Sequence, residues 1–565
     1  IGTPGEIGSG GVVCPSNILP ANMTPMKGYQ DPSSPNYGNY QYREGSVMVW
    51  IPAFYYRMHA WQIITAITQA NPAKVTIDNH GMSNTDKIYI ANVAGMTQVN
   101  GGIFQVTVVD AGNITIGVDS SGYTAYSSGG VAAKEPTDGF NDTLVSYHTN
   151  SIQIKNYSDF ANVTAANAAG YALHRAFYDG GKIQKGFFVD KYKASKVANG
   201  TGYTAGSIKG GKPLSSFSAH NQYADLTGGA NYNYSTIDLA HRRDGSNGNV
   251  NASSIFHVKS VFQNAALAML SLAHAQYSQT DTYCAWYNAT YNYPKGCNGD
   301  PFKDVDDTTV VYGSDGYVGN KSCTTGSAQS FAKTTHNGQA SGVADLNGGM
   351  WEVSIGITAI AGTKTISGIS AANPCEITTS ANHGLSTGDY IMIDSIAAGT
   401  LATAINSKIW QVTKTADDKF TIVLDSSALS AWSSGGTVTY GTFYAAKTAT
   451  AMKSFTHTNT LATDHWGATG VAAMMDSFVP PFKSGDAYGM RMGSGTNQVL
   501  SEATSGAGWN LTGMGFPKDG TGVDATGTNL FGKDYFYQYI INDLCLISSV
   551  YWSYASDAGV WPSIF

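Results

Sequence analysis

The chain has 565 residues, with 32 Lys or Arg against 39 Asp or Glu, so its formal net charge is −7. Only 13% of the residues are charged, against about 25% in a usual globular protein, so we expect no nucleic-acid partner. The 65 Gly and 34 Tyr, within 42% hydrophobic residues, indicate a folded, turn-rich chain that favours β structure.

Residues 1–44 show no periodic core pattern and are rich in Pro, Gly, Ser and Asn. Such a composition is typical of a segment without a core of its own. We therefore predict an extended N-terminal arm over residues 1–44 that becomes ordered against a neighbour.

Two aromatic segments that follow the arm read as strands. Residues 46–57 form an apolar run that is broken by Pro52, and a second run, residues 186–195, contains Phe187 and Phe188. We predict that these two segments pair in one sheet.

The chain contains an internal repeat. Residues 67–86 (ITQANPAKVTIDNHGMSNTD) resemble residues 369–389 (ISAANPCEITTSANHGLSTGD), and the match continues to a Ser-Ser-Gly-Gly run in each copy. Short alternating segments separated by Gly, Asn, Asp and Ser predict a small antiparallel barrel in each copy. The predicted barrel modules span residues 62–132 and 358–440.

These modules resemble the small β-barrel found in ubiquitin-activating enzymes, in the form that recurs in phage tail and fibre proteins. The Asn-Pro, His-Gly and terminal Ser-Gly-Gly motifs carry the resemblance, which implies a spacer or display module. His80 and His383 recur in the repeat. Because a His before Gly at a turn usually bonds local backbone, we assign them no metal or catalytic role.

One long helix is predicted over residues 253–275, with Ser253 or Ser254 as its cap. Apolar residues recur every three or four positions along it, which predicts a core-facing stripe. This stripe comprises Phe262, Ala265, Ala266, Met269, Leu270 and Ala273. We expect His257 and His274 to be partly exposed and to bind no metal.

The order of motifs around the modules resembles the formylglycine-generating-enzyme type of C-type-lectin fold, as found in phage receptor-binding proteins and in variable proteins of diversity-generating retroelements. The motifs are Trp-Ile-Pro-x-Phe-Tyr-Tyr at residues 50–56, Phe-Phe-Val-Asp-Lys-Tyr at 187–192, the helix, and Asn-Gly-Gly-Met-Trp-Glu at 347–352. The resemblance implies an α+β, sulfatase-modifying-factor-like domain. It would comprise residues 45–61, 133–357 and 441–565 and be interrupted by the two barrel modules.

Catalytic signatures are scarce. The chain has no Gly-x-Ser-x-Gly, His-Glu-x-x-His or Gly-Lys-Ser/Thr motif. The enzymes of the resembled family need a close cysteine pair near the C-terminus, and here Cys545 is the last cysteine, with no second thiol nearby. We therefore predict no enzymatic activity, no catalytic residue, no metal and no cofactor.

Two smaller features have open or local interpretations. Cys284, Cys297 and Cys323 either hold one disulfide or are buried free thiols. The run His-Arg-Arg-Asp at residues 241–244 is read as a salt-bridged turn.

The terminal aromatic set is the predicted ligand surface. Tyr551, Trp552, Tyr554 and Trp561 lie among small polar residues, at a spacing that fits neither a helix nor a one-faced strand. No apolar run approaches the about 20 residues of a membrane-spanning helix, so no membrane insertion is expected.

Our preferred hypothesis is a virion structural protein, located in the extracellular particle as a phage fibre, tail or capsid decoration. Its predicted partners are other virion proteins, further copies of itself and a host-surface glycan or protein. The alternatives are a secreted or surface bacterial adhesin, a retroelement-diversified binding protein and a copper-dependent oxidase.

Overall fold

The computed structural model describes residues 1–3, 6–59, 61–134, 151–169, 171–179, 182–215, 239–277, 297–298, 302–304, 309–317, 322–346, 349–350, 352–406, 408–446, 475–478, 536–537, 546–548 and 563–564. These residues are mostly β with few helices. The described residues thus agree with the β part of the predicted α+β class. The C-type-lectin assignment stays a prediction.

Four strands precede the first barrel: β1 (Met23–Pro25), β2 (Asn39–Tyr42), β3 (Val47–Pro52) and β4 (Phe54–His59). Eight short strands build that barrel: β5 (Trp61–Ile63), β6 (Ala66–Ile67), β7 (Lys74–Thr76), β8 (Lys87–Ala94), β9 (Ile103–Gln105), β10 (Thr107–Asp110), β11 (Asn113–Thr115) and β12 (Ser128–Lys134).

Among the described residues in the middle of the chain there are ten strands: β13 (Ser151–Asn156), β14 (Ala172–Leu173), β15 (Tyr178–Asp179), β16 (Lys182–Ile183), β17 (Gly186–Asp190), β18 (Ser195–Asn199), β19 (Gly202–Gly206), β20 (Cys297–Asn298), β21 (Lys303–Asp304) and β22 (Glu352–Ser354). The second barrel and the strands after it are β23 (Ile357–Ile369), β24 (Cys375–Thr379), β25 (Tyr390–Ile396), β26 (Lys408–Lys414), β27 (Lys419–Ile422), β28 (Gly435–Ala446), β29 (Met475–Phe478), β30 (Phe536–Tyr537), β31 (Leu546–Ser548) and β32 (Ser563–Ile564).

The α-helices in the described ranges are α1 (Val163–Ala168), α2 (Val261–Tyr277) and α3 (Thr400–Ile405). The 3₁₀ helices there are Ser16–Ile18, Thr97–Val99, Tyr157–Asp159, Arg175–Phe177 and Phe331–Thr334. Among the helices that are described, none combines the length and apolar character required to cross a membrane.

The second barrel is a closed ring of six antiparallel strands, in the order β23, β24, β27, β26, β25, β28 and back to β23. The first barrel has the same strand order. Two of its strand positions are each divided into two short strands, β5 with β6 and β9 with β10. Each barrel encloses its own apolar core. The expected small antiparallel barrel is therefore present as a closed ring in the second copy of the repeat, while the first copy forms two four-stranded sheets around one core.

The second glycine of the Gly-Gly pair that ends each repeat is needed for steric reasons. Gly130 and Gly436 have φ values of +96° and +107°, where a side chain is strained. A Cβ on Gly130 would lie 2.6 Å from Val93 Cγ2, and one on Gly436 would lie 2.9 Å from Ile366 Cδ1. The last strand of each barrel consequently lies closer to its core than any larger residue would allow.

The first and last strands of each barrel pair with one another. Trp61 lies opposite Ala133, and Ile357 lies opposite Ala445. The two ends of each barrel segment are therefore neighbours in space.

Outside the barrels, the predicted strand pairing is confirmed, because β17 pairs antiparallel with β3 and Phe188 lies opposite Trp50. The sheet order is β1, β2, β3, β17. Beside it, β4 pairs with β13 and β14 and contributes Phe54, Tyr55 and Tyr56 to a fully buried core.

Helix α2 covers that core, and all the predicted stripe residues are buried. Its start differs from the prediction, since it begins at Val261 and not near Ser253. The Ser260 hydroxyl accepts the Gln263 N–H at 3.2 Å, while the Gln263 side chain accepts the Ser260 N–H at 2.9 Å. This reciprocal pair is a capping box, and it fixes the first turn.

The N-terminal segment packs against its own chain, which the prediction of an arm ordered by a neighbour did not anticipate. Tyr40 on β2 is only 1% exposed. The Gly8 N–H donates to Gln339 Oε1 at 2.7 Å, and Asn337 Nδ2 donates to the Ser9 carbonyl at 2.8 Å. Residues 336–341 thus hold the segment, although they lie about three hundred positions later in the chain.

Candidate ligand site

A cavity of about 1060 Å³ follows strand β17 and the segment that leads into helix α2. Its volume is at the upper end of ordinary small-molecule pockets, which run from about 300 to about 1000 Å³. The aromatic residues that line it are Tyr42, Trp50, Tyr178, Phe187, Phe188, Tyr192, Phe256 and Phe262. The charged residues that line it are Arg175, Lys185, Asp190, Lys193, Arg243, Asp244, Lys259 and Glu352.

The alternation of β17 presents aromatic rings on both faces of the strand. Phe188 packs against Trp50 and Tyr40, with ring centroids 4.9 and 5.2 Å apart. Phe187 points to the opposite face and stacks on Phe177 at 5.5 Å. One short strand therefore joins two cores and borders the cavity between them.

Arg243 is a buried cation of the cavity wall, with a side chain 6% exposed. Its Nη1 donates to both carboxylate oxygens of Asp190 at 2.7 Å, and its Nε donates to Glu44 Oε1 at 2.9 Å. Burial lowers the pKa of Arg243, but Asp190 and Glu44 outweigh burial and raise it. The turn predicted at residues 241–244 is salt-bridged, but its partners are not local, because Glu44 and Asp190 lie 199 and 53 residues away in the chain.

One nitrogen of the Arg243 guanidinium, Nη2, is not bonded to either carboxylate. Among the described residues, its Nη2 has no hydrogen-bond partner, and neither does Glu44 Oε2. The guanidinium carbon also lies 5.2 Å from the centre of the Phe256 ring. This combination of an aromatic face and a directional donor is suited to a polar, ring-shaped ligand.

A second charged group combines Lys193, Glu352 and Lys259. Glu352 Oε1 lies 2.9 Å from Lys193 Nζ, and Oε2 lies 2.7 Å from Lys259 Nζ. Burial would raise the pKa of Glu352, but the two ammonium groups outweigh it and lower that pKa to about 2. Glu352 is therefore an ionised anchor that joins β22 to the segment before α2, and it is not suited to donate a proton near neutral pH.

Burial and, to a smaller extent, Lys209 lower the pKa of Lys191 to about 7. A lysine with a lowered pKa is a candidate for a catalytic base. Lys191 Nζ donates to the carbonyls of Pro35 and Ala340 at 3.0 and 2.7 Å. It is not among the described residues that line the cavity. Its contacts make it a tie between the N-terminal segment and residues 336–341.

The two repeated histidines have the local role that the sequence predicts. The Met82 N–H donates to His80 Nδ1 at 3.0 Å, and the Leu385 N–H donates to His383 Nδ1 at 2.9 Å. The opposite ring nitrogens contact backbone carbonyls, those of Asp110 in the first barrel and of Ala416 and Lys419 in the second. The two rings therefore act as equivalent turn supports.

The sequence prediction for the long helix was wrong at His274, which is 1% exposed and not partly exposed. Within the described ranges, no group of three or more His, Cys, Asp or Glu is arranged to hold a metal ion. The predicted ligand residues Tyr551, Trp552, Tyr554 and Trp561 lie outside the described residues.

The sequence analysis missed the cavity and the Lys193, Lys259 and Glu352 group. In the sequence, Glu352 belongs to the Asn-Gly-Gly-Met-Trp-Glu motif and Lys193 lies in the predicted strand 186–195, and neither position stands out as part of a charged site. Their pairing joins positions 93 and 159 residues apart in the chain, and no local pattern marks such a distance.

Comparison with known proteins places one part of the chain. Residues 70–135 match the family described as the Ubiquitin-activating enzyme E1 FCCH domain. The first barrel is similar to an FCCH domain. This match covers much less than half of the chain, so it assigns no family to the whole. No curated protein matches the chain.

Among solved structures, a partial likeness is found to the phage phi92 endosialidase. It has 15% sequence identity and a TM-score of 0.12, and it covers 30% of this chain and 24% of that chain. The matched part thus spans about a quarter of the endosialidase. A TM-score this low does not establish a shared fold.

Proposed function

We propose that this chain is a non-enzymatic structural protein of a phage particle, serving in a fibre, tail or capsid decoration. In this proposal the part outside the barrels is a lectin-like domain that attaches the particle to a host-surface glycan or protein. The two barrels act as inserted spacer or display modules, and the partners are other virion proteins and further copies of the chain.

The observation that carries the proposal is the internal use of the polar residues that recur in both barrels. Ser120 Oγ bonds the backbone of Thr68 and Ala70, and Ser426 Oγ bonds that of Ser370 and Ala372 in the same way. The repeated histidines likewise bond backbone. The serines and histidines shared by the two barrels therefore specify their fold, as expected of a spacer.

The cavity supports a binding role for the rest of the chain. It offers aromatic faces for the apolar side of a sugar ring or an aromatic side chain, and the Nη2 of Arg243 as a donor for its polar groups. Asp190 is paired with Arg243, and Glu352 is paired with Lys193 and Lys259 and is held ionised. Such groups orient a ligand without transferring protons.

The proposal is tested first on particles. Purified phage particles from the source of the gene are analysed by mass spectrometry, and peptides of this chain should copurify with particle proteins through a density gradient. Absence from the particles would overturn the virion assignment.

The attachment role is tested with the purified, fluorescently labelled chain on bacterial cells and on a glycan array. The double variant Tyr551→Ala, Trp552→Ala should lose binding with an unchanged melting temperature, while Tyr203→Ala, which removes an exposed tyrosine from β19, should bind normally. A large fall in the melting temperature would instead place Tyr551 and Trp552 in a core. Release of reducing sugar ends from a bound glycan would contradict the non-enzymatic role.

A further inference from the structure

Two cysteines, Cys297 and Cys323, lie in one small apolar core. Cys297 and Cys323 are each 3% exposed, and they cluster with Val310, Tyr312 and Ala328. The side chain of Cys297 is hydrogen-bonded to that of Cys323. In the structure both are free thiols.

Gly349 shows how closely the two side chains converge. A Cβ placed on Gly349 would lie 3.6 Å from Cys323 Sγ and 3.9 Å from Cys297 Cβ. Both cysteines therefore border the same space beside one glycine. The Gly349 N–H also donates to the Cys297 carbonyl at 2.9 Å, which holds this backbone in place.

The backbones that carry the two thiols are fixed by separate pairings. Cys297 on β20 lies opposite Asp304 on β21, and Cys323 forms a bridge with Ser314. Lys303 in turn bridges to Val311, which connects the two pairings. The two thiols are consequently brought together by these backbone pairings.

The other described cysteines are not placed in this way. Cys14 belongs to the core beneath β2, and its Sγ lies 3.6 Å from the Pro15 carbonyl. Cys375 belongs to the core of the second barrel, and its Sγ lies 3.8 Å from the Ser370 carbonyl. They serve as internal controls.

We propose that Cys297 and Cys323 are a redox pair that closes to a disulfide when the protein meets a low-molecular-weight disulfide such as oxidised glutathione. One protein thiolate attacks a glutathione sulfur, and the first glutathione leaves as a thiol. The second protein thiolate then attacks the mixed disulfide, and the second glutathione leaves. Two protein thiols are oxidised and one glutathione disulfide is reduced, with both protons passing to the released thiols.

The environment of the pair sets the rate of this step. The hydrogen bond with Cys323, followed by burial, raises the pKa of Cys297, so little thiolate is present at neutral pH. Closure should therefore be slow at neutral pH and faster at alkaline pH. This reaction goes beyond the attachment role and does not depend on it.

The bond would tie down both ends of the segment 297–323. Just after that segment, the Thr325 hydroxyl donates to the Ile208 carbonyl at 2.7 Å and the Gly326 N–H donates to Asp345 at 2.6 Å, so the chain is held where the segment ends. Crosslinking should therefore slow local opening of this segment, because the open state loses chain freedom.

The test is disulfide mapping of the full-length chain. The reduced protein is incubated with oxidised glutathione at about pH 8, remaining thiols are alkylated, and the protein is digested with trypsin without reduction. Cleavage after Lys295, Lys303, Lys321 and Lys333 places Cys297 in peptide 296–303 and Cys323 in peptide 322–333. We expect these two peptides as a crosslinked pair that disappears on reduction.

Variants sharpen the result. Cys323→Ser should abolish the crosslinked ion and leave Cys297 alkylated or joined to glutathione, while Cys14→Ser should leave the ion unchanged. Recovery of the two wild-type peptides as separate alkylated species would overturn the proposal. A dominant crosslink from Cys297 to Cys284 or Cys545 would also overturn it, and the wild-type map decides even if the serine variant fails to fold.

Discussion

Asn100 and Asn406 make the same two hydrogen bonds in the two barrels. Asn100 accepts the Val93 N–H at 2.8 Å and donates to the Val93 carbonyl at 2.9 Å. Asn406 does the same with Ile396, at 3.0 Å for each bond. In each barrel this side chain satisfies the backbone of one residue in a long strand, β8 or β25.

We predict that Asn406→Ala destabilises the second barrel by about 2 kcal/mol, because both backbone groups of Ile396 lose their partner. Hydrogen exchange of the full chain should show faster exchange in β24 to β28 and unchanged exchange in α2. Ser427→Ala is the control, since its hydroxyl bonds the exposed Asp425 side chain. Equal protection in Asn406→Ala and the wild type would contradict the prediction.

Deletion of residues 62–132, with a short Gly-Ser joint, should leave the remainder folded. The reason is that Trp61 and Ala133 are paired, so the joint spans a short distance. Near-UV circular dichroism and unchanged exchange protection in α2 would support this. A control deletion of residues 70–132 leaves β5 and β6 without partners and should aggregate. An insoluble product from the first deletion would show that the barrel is part of the surrounding core.

Ser260→Ala should lower the free energy of unfolding by about 1 kcal/mol, because the capping box at the start of α2 is lost. Ser253→Ala tests the cap that the sequence suggested, and its effect should be negligible because Ser253 is exposed and precedes the helix. Urea unfolding of both variants measures the difference. If Ser253→Ala were the more destabilising change, the helix would begin earlier than the structure shows.

Glu352→Gln should destabilise the protein by about 3 kcal/mol near neutral pH, because two buried ammonium groups lose their shared carboxylate. The pKa of Glu352 is about 2 in the folded protein against 4.5 ordinarily, so its stabilisation is present above pH 4.5 and is lost as pH falls through about 2. The variant should lack this part of the acid dependence.

Urea unfolding at a series of pH values measures that difference. Asp417→Asn is the matched control, since its ion pair with Lys414 is exposed and should matter little. If the variant and the wild type had parallel acid profiles, Glu352 would not be the group that titrates.

The repeat allowed the barrels to be predicted because its information is local. Alternating residues specified the strands, and the histidine turn and Gly pair recur at the same places in both copies. The closed order of the strands was not predictable, since β23 meets β28 across more than sixty intervening residues. Strand pairing of that range leaves no periodic trace in the sequence.

The N-terminal segment and the cavity show the same limit. The segment has no core pattern of its own because Gln339 and Asn337 supply its hydrogen bonds. Likewise, Arg243 looked like a local turn residue, although its anions come from Glu44 and Asp190. Helix α2 was predicted by its stripe, but its cap was placed at Ser253 or Ser254. The observed cap is Ser260, which has Gln263 three positions later.

The pairing of Trp61 with Ala133, and of Ile357 with Ala445, has a consequence for how such a chain can change over generations. A gene segment that encodes a module whose first and last strands are adjacent can be replaced by another such segment without disrupting the fold around it. Each barrel is in this sense a cassette, and recombination at its two borders would exchange the barrel while leaving the strands around it in place.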